Sequence, residues 1–205
     1  MTAIPTSEVQ RNSLATVRED DNPVFHWTVE RYLHLIEAGL LSESDRTELI
    51  NGIIFSKMPS NKPHDKFISY VEDYFTERFF RQHTLRTERA IRLDERSMPE
   101  PDYVVAVYRE DKYSEVWPTP PDILLLIEVS DSTLHFDRNA KKQIYARAGI
   151  QEYWIVNVSD EKIEVHLTPD PTSAEYARTT HYGRGDQLES PFAGDVDVDA
   201  ILPPA

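Results

Sequence analysis

The sequence contains no cysteine, which excludes disulfide bonds and zinc sites built from thiolates. It also lacks any apolar run close to the roughly 20 residues that a membrane-spanning helix needs. The first residues show neither the basic nor the apolar region of a secretory signal peptide. Together these absences predict a soluble, cytoplasmic protein that does not associate with a membrane.

Basic residues are scarce. The chain has 22 Lys and Arg residues against 36 Asp and Glu residues, and its formal net charge is −14. Proteins that bind nucleic acids usually carry a basic balance or a basic stripe, and a net charge of this sign repels a phosphate backbone at long range. The composition therefore argues against tight, nonspecific DNA binding. A bound divalent cation would relieve the repulsion, but only locally.

What the chain does contain is typical of one packed domain. It has 205 residues, 40% of them hydrophobic, and three tryptophans, which is enough for one sizeable core. Residues 1–23 are polar and without periodicity, and they end at Asn22-Pro23. We expect a flexible arm over residues 1–23 and a single domain over residues 24–205.

Apolar patterns along the chain alternate between helical and strand spacing. Asn51-Gly52 lies between two apolar runs and is a strong signal for a β-hairpin. The expected helices run from Thr28 to Gly39, from about His64 onward, and from Asp137, as N-cap, to Gly149. The expected strands are residues 85–93, the runs that contain Asp102 and Glu128, residues 152–158 and 162–167, and short strands beyond Tyr176. This order predicts an α/β or α+β domain with a central mixed sheet flanked by helices.

Two carboxylates lie at the ends of apolar runs that read as buried strands. Asp102 opens residues 101–107, and Glu128 closes residues 123–129. If the two strands pair antiparallel, the start of the first lies beside the end of the second, and the two side chains meet. Converging acids repel each other unless a cation lies between them, and their oxygen atoms suit Mg²⁺ or Mn²⁺. The pattern therefore predicts a metal site.

Other interpretations of these acids stay open at this point. Asp102 follows a proline and could cap the start of its strand through nearby backbone N–H groups. Glu128 could pair with an arginine. Asp122 also follows a proline, but it lies six residues before Glu128 on the same strand, roughly 20 Å away at about 3.3 Å per residue. We therefore interpret Asp122 as structural.

Phosphodiester hydrolysis also needs a cation or a base beside the metal. Ser130, two residues beyond the second carboxylate on the same strand face, cannot fill this role. Lys141 falls on the inward, apolar stripe of the following helix, whereas Lys142 points away from it. If Asp137 caps this helix, Lys141 lies near its N-terminus, where the helix dipole would lower the pKa of the amine. Tyr145, on the same stripe, is expected in the core.

An ordered set of short motifs carries a family resemblance. The set consists of Glu48-Leu49-Ile50-Asn51-Gly52, Met58-Pro59 with His64, Asp102, Glu128-Val129-Ser130, Asp137 with Lys141 and Tyr145, residues 149–156, and residues 185–192. Each motif alone is weak, but their order resembles the Uma-type family of proposed restriction endonucleases, a branch of the PD-(D/E)xK nuclease superfamily. The resemblance covers about residues 27–203.

The resemblance implies a restriction-endonuclease-like fold and a Mg²⁺-dependent phosphodiesterase site. It implies Asp102 and Glu128 as metal ligands, and Lys141 as the lysine of the ExK signature moved to the next helix. It adds Glu48 as a further acid at the site and His64 as an auxiliary polar residue. The residues alone leave Glu48 equally open to a surface or ion-pair role, and they favour a capping or packing role for His64.

These expectations combine into a metal-dependent DNA endonuclease in which Lys141 assists the attack of water on a phosphodiester bond. Two alternatives stay open. One is a catalytically silent binding module with a protein partner, which the acidic charge favours. The other is a metal-dependent hydrolase of small phosphodiesters, which needs no basic groove. A homodimer would let two sites cut two strands, although no segment of the chain requires it.

Overall fold

The computed structural model describes residues 24–204, so the arm expected over residues 1–23 lies outside the described part of the chain. The helices are α1 (Val29–Glu37), α2 (Lys62–Phe79), α3 (Leu134–Phe136), α4 (Lys142–Ala148) and α5 (Val198–Ile201), with a π-helical turn over Asp137–Lys141. The strands are β1 (Thr47–Ile50), β2 (Ile53–Ser56), β3 (Thr84–Thr87), β4 (Tyr103–Ala106), β5 (Ile123–Ser130), β6 (Glu152–Asn157), β7 (Lys162–Asp170), β8 (Glu175–Tyr182), β9 (Gln187–Ser190) and β10 (Gly194–Asp197). Short 3₁₀ turns lie at Glu43–Asp45 and Pro120–Asp122.

A central sheet runs in the order β3-β4-β5-β6-β7-β8, and two separate hairpins are formed by β1–β2 and β9–β10. Neighbouring strands of the central sheet are antiparallel except β5 and β6, which are parallel. Parallel neighbours need a crossover connection, and α3, the π-helical turn and α4 supply it. The prediction of a mixed sheet flanked by helices is confirmed. Within residues 24–204, no helix is long and apolar enough to cross a membrane.

Helices cover both faces of the sheet, and the alternation of side chains along β5 decides what faces each layer. Leu125, Ile127 and Val129 belong to the apolar cluster beneath α2 and α5, which also holds the fully buried Trp154. Leu126 belongs to the opposite cluster, which includes Ile144 and Tyr145 of α4. Because successive strand residues point to opposite faces, Glu128 shares the α4 face with Leu126.

The β1–β2 hairpin confirms the turn predicted at Asn51-Gly52, whose φ angles are 51° and 79°. Gly52 is wedged against its neighbours: its N–H donates to the carbonyl of Arg96 at 2.7 Å, and its carbonyl accepts from Trp27 N–H at 2.8 Å. A Cβ atom on Gly52 would lie 2.7 Å from Cβ of His26. The turn therefore fixes the hairpin against the segment that precedes α1.

Helix α1 begins as predicted, because the side chain of Thr28 accepts a hydrogen bond from Arg31 N–H. Its C-cap is one residue earlier than the expected Gly39: Glu37 is the last helical residue and Ala38 is the C-cap. Gly39 follows with a φ of 69°, in the left-handed region that favours glycine.

The strand expected over residues 85–93 is too long. Strand β3 ends at Thr87, because Glu88 has a φ of 45°, which an extended strand does not allow. Beyond it the chain forms a loop, in which Ile91 N–H donates to the carbonyl of Pro99 at 3.0 Å. Alternating apolar residues in this segment reflect burial within a loop rather than strand pairing.

The prediction that Asp137 caps a helix is wrong. The helical segment begins three residues earlier, at Leu134, with Thr133 as its N-cap. Asp137 therefore lies inside the segment, at the start of the π-helical turn, and its carboxylate accepts hydrogen bonds from the Ser130 and Thr133 hydroxyls. The end of the segment is as predicted, with Gly149 as a left-handed C-cap.

A buried histidine lies on β7, outside the region that the sequence marked as a site. The ring of His166 stacks on Tyr153, and Nδ1 lies 2.9 Å from Oγ1 of Thr179. Its Nε2 lies 3.9 Å from a carboxylate oxygen of Glu164. Burial lowers the pKa of His166 to about 4, although the Glu164 charge acts in the opposite direction.

We expect Gly52→Ala to lower the free energy of unfolding by about 3 kcal/mol, because strain at positive φ adds to a steric overlap. Gly39→Ala is the matched control: its φ is similar, but nothing lies within 4 Å of its added Cβ, so strain alone should cost about 1 kcal/mol. Urea unfolding of both variants measures the difference. Equal losses would contradict the steric wedge at Gly52.

The pKa of His166 predicts a loss of stability in acid. An unfolded histidine has a pKa near 6.5 and the folded one about 4. Between these values the unfolded chain binds more protons, so stability falls as the pH falls, by up to about 3 kcal/mol. His166→Phe should remove this contribution. Urea unfolding of both proteins from pH 7 to pH 4 tests it, and parallel pH profiles would show that His166 does not contribute.

Candidate active site

A cleft of about 240 Å³ opens at one edge of the central sheet. Its walls are the β1–β2 hairpin, the first turn of α2, the junction of β4 and β5, and the segment from α3 into the π-helical turn. All five residues that the sequence nominated line it: Glu48, His64, Asp102, Glu128 and Lys141. The fold thus gathers residues that are up to 93 positions apart into one site.

Asp102 and Glu128 lie side by side, as the expected antiparallel pairing requires. Tyr103 of β4 pairs with Ile127 of β5, which places the preceding Asp102 next to Glu128. The main-chain N–H of Val129 donates to Oδ2 of Asp102 at 2.8 Å. Both residues are buried, with exposed fractions of 7% for Asp102 and 1% for Glu128. Asp102 therefore accepts a backbone hydrogen bond, but from the neighbouring strand rather than from its own strand start.

Glu128 is held by two donors from the crossover helix. Nζ of Lys141 lies 2.9 Å from Oε1 of Glu128, and the hydroxyl of Tyr145 donates to the same oxygen at 2.7 Å. Both donors are buried. The inward orientation predicted for Lys141 is confirmed. The cation that pairs with Glu128 is therefore this lysine and not an arginine. Tyr145 is a core residue, as expected, and it is also a hydrogen-bond partner of the site.

The prediction of a lowered pKa for Lys141 is wrong. Burial alone would lower the pKa of the amine, but the surrounding carboxylates, with Glu128 and Glu48 foremost, outweigh burial and raise it well above the ordinary value. The helical segment also starts at Leu134, so Lys141 lies about two turns inside it, where the dipole of the N-terminus has little effect. Lys141 is therefore a fixed cation rather than a base near neutral pH.

Glu48 reaches the site from β1, which is not part of the central sheet. Its carboxylate is buried; Oε2 accepts from Glu100 N–H at 3.1 Å and lies 3.6 Å from Nζ of Lys141. The structure thus places Glu48 at the cleft rather than on the surface. A second lysine, Lys57, also lines the cleft and donates to the carbonyl of Glu100 at 2.9 Å. The sequence analysis did not single it out.

The cap of α2 is Asn61 rather than His64, which the residues alone assigned to capping or packing, and His64 lines the cleft. In the first turn of α2, its N–H donates to the N-cap side chain of Asn61 at 3.0 Å. Its Nε2 lies 3.3 Å from Oδ2 of Asp102. Burial would lower the pKa of His64, but the hydrogen bond and charge of Asp102 outweigh it, and the net pKa is raised. The same contact lowers the pKa of Asp102 against the effect of its own burial.

Asp137 is a buried acid of the cleft that sequence reasoning took for a helix cap. Oδ2 of Asp137 accepts from the hydroxyls of Ser130 and Thr133, each at 2.7 Å. Burial raises its pKa, while Lys141 opposes that rise. Ser130 occupies the position of the lysine in the ExK signature, and its hydroxyl helps to hold the carboxylate of Asp137 in place. The sequence did contain a signal that Asp137 lies in the cleft. Asp137 is four residues before Lys141, a spacing that puts two side chains on one helix face.

The cleft holds more negative charge than its cations balance. Its carboxylates are Glu48, Glu88, Asp102, Glu128, Asp131 and Asp137, and its lysines and arginines are Arg46, Lys57 and Lys141. Burial, together with the neighbouring acids, raises the pKa of Glu128 well above its ordinary value despite the attraction of Lys141. A further cation would relieve this excess, because it would favour the ionised form of every nearby acid.

The donor set fits a magnesium-like ion bound by few protein ligands. Among residues 24–204, no three His, Asp or Glu side chains are close enough to form a metal site by themselves. Mg²⁺ does not require that, because it usually binds one or two carboxylates and keeps water and substrate oxygens as its other ligands. Asp102 and Glu128 supply two adjacent carboxylates with Glu48 nearby.

Comparison with known proteins identifies the family and the fold of this chain. The family described as "Uma2: Putative restriction endonuclease" matches residues 29–199. A crystal structure titled as a "putative nuclease belonging to DUF820" from Anabaena variabilis ATCC 29413 has a TM-score of 0.65 and 16% sequence identity. The alignment covers 85% of this chain and 96% of that one, and it shows a shared fold. No curated protein matches the chain. Since the family match spans most of the sequence, this protein belongs to the Uma2 family of restriction-endonuclease-like proteins.

Proposed function

We propose that this protein is a Mg²⁺- or Mn²⁺-dependent endonuclease that hydrolyses phosphodiester bonds in DNA. The observation that supports it best is the convergence of Asp102, Glu128 and Lys141 in one cleft, from two adjacent strand ends and the crossover between β5 and β6. Two acids can hold a divalent ion, and a lysine can stabilise the charge that develops on the phosphoryl group, so this set supports metal-assisted phosphodiester hydrolysis. Membership of the Uma2 family agrees with this chemistry.

Each residue has a role that follows from its contacts. Asp102 and Glu128 would hold the divalent ion, which when bound polarises a phosphate oxygen and lowers the pKa of water. Lys141 keeps its proton and stabilises the negative charge that develops on the phosphoryl group. Glu48 helps to hold Lys141 in place, because its Oε2 lies 3.6 Å from Nζ. His64 orients Asp102 through the contact at 3.3 Å.

A hydrolase of small phosphodiesters is a second candidate, because the described part of the chain gives the cleft six carboxylates and three lysines and arginines. Such a surface repels a long polyanion, whereas a substrate with one phosphate meets little repulsion. Cleavage of long DNA should fall steeply with added salt if several phosphates are contacted. Turnover of a small diester that is insensitive to salt, with long DNA left intact, would favour this candidate.

The direct test is nicking of supercoiled plasmid with Mg²⁺ or Mn²⁺. We expect Glu128→Gln and Asp102→Asn to lose at least about 100-fold in rate, because each removes a charge on which catalysis depends. The matched control is Glu164→Gln: Glu164 is a buried acid on the same sheet face, paired with Arg138 and outside the cleft. All proteins are purified identically. Equal nicking by wild type and Glu128→Gln would contradict the proposal, and so would inactivity of the wild type with both metals.

Tyr145→Phe should lower the nicking rate about tenfold while the fold is kept, because it removes one charged hydrogen bond from Glu128 and leaves the ring in place. The Mg²⁺ concentration needed for half-maximal rate should rise, since the carboxylate is less well oriented. Tyr176→Phe is the control, because its hydroxyl bonds to the carbonyl of Ile150 in the same apolar cluster. Equal effects of both variants would indicate a purely structural role.

A further inference from the structure

One wall of the cleft is aromatic. Phe55 of β2 and Phe136 at the end of α3 both line the cleft, and their ring centroids are 5.1 Å apart with planes inclined by 56°. Both rings are only half-buried. Met58, at the mouth of the same cleft, is 62% exposed. This apolar wall and the carboxylates line the same cleft, but the proposed hydrolysis assigns no role to the wall.

The charge and the size of the cleft restrict what it can accept. A double helix carries one negative charge per about 1.7 Å of axis, and proteins usually hold it with many Lys and Arg contacts. Among residues 24–204, the cleft has only Arg46 and Lys57 as basic residues besides Lys141. Pockets for small molecules commonly measure about 300–1,000 Å³, so a cleft of 240 Å³ has room for part of a single nucleotide.

We infer that the cleft acts on unpaired DNA and holds the base next to the scissile phosphate against Phe55 and Phe136. This inference rests on the proposed nuclease function and names its substrate class. Unpaired bases stack on aromatic side chains in a sequence-tolerant manner, and each stacked base strengthens binding by roughly five- to 150-fold. Stacking therefore supplies affinity that an acidic surface cannot obtain from phosphate contacts. A base inside a duplex cannot reach the wall unless it is flipped out.

Three labelled substrates separate the base from the backbone. They are a single strand, the same strand in a fully paired duplex, and a strand in which abasic residues replace the nucleosides at the cleavage position. The abasic strand keeps its phosphodiesters but offers nothing to stack. We expect wild-type protein with Mg²⁺ to cleave the single strand at least about tenfold faster than either of the other two.

Leucine substitutions test the wall itself. Phe55→Leu and Phe136→Leu keep an apolar side chain but remove the ring, so each should lower cleavage of the normal single strand about tenfold and leave cleavage of the abasic strand unchanged. Leu134→Ala is the control. Leu134, like the two phenylalanines, packs on the apolar cluster beneath α4, but it does not line the cleft. Thermal unfolding of all variants shows whether the fold is kept.

The outcomes separate this inference from the proposed function. Cleavage of duplex and single strand at equal rates, still dependent on Glu128, would overturn the inference and leave the nuclease in place. Loss of the distinction between normal and abasic strands in Leu134→Ala as well would also overturn it. If wild type cleaves no substrate, the nuclease proposal fails. Fluorescence anisotropy with Ca²⁺ then decides the stacking: preferential binding of the normal single strand, lost in Phe55→Leu, supports it, and equal binding overturns it.

Discussion

The contact on which the rest of this structure depends is the burial of one ammonium group, that of Lys141, between the carboxylates of Glu128 and Glu48. A buried charge that loses its partner costs about 3–5 kcal/mol, so the three elements that carry these residues must hold one relative arrangement. The sheet, the hairpin and the crossover helix are thereby fixed to one another at the cleft. Their apolar clusters provide most of the stability, and the charges select which packing is allowed.

The site combines parts of different rigidity. Asp102 and Glu128 are positioned by the paired backbones of β4 and β5, so their separation follows from strand geometry. Lys141 and Tyr145 come from the crossover and reach the same oxygen of Glu128. Supporting donors of this kind keep a ligand in one rotamer before any substrate arrives. Glu48 comes from a separate hairpin, which is attached through backbone hydrogen bonds of Leu49 to Met98 and of Gly52 to Trp27 and Arg96.

Local patterns predicted the residues of the centre, and long-range packing decided the others. The positions of Asp102 and Glu128 follow from apolar runs that end in acids, and the orientation of Lys141 follows from helical periodicity. The burial of Glu48 depends on how a two-stranded hairpin docks, which no period in the sequence records. The errors have local causes: the helix that contains Asp137 begins earlier than its cap signal indicated, and Glu88 takes a left-handed conformation that ends a strand early.

The π-helical turn at Asp137–Lys141 makes chain length itself a property of the active site. Such a turn accommodates one residue more than an α-helical turn, and here it lets Asp137 reach Ser130 while Lys141 reaches Glu128. Deleting one residue would return the segment to α-helical spacing and change the angle between Asp137 and Lys141 around the helix axis. The number of residues in this turn is therefore constrained together with their identities, because both decide which side chains face the cleft.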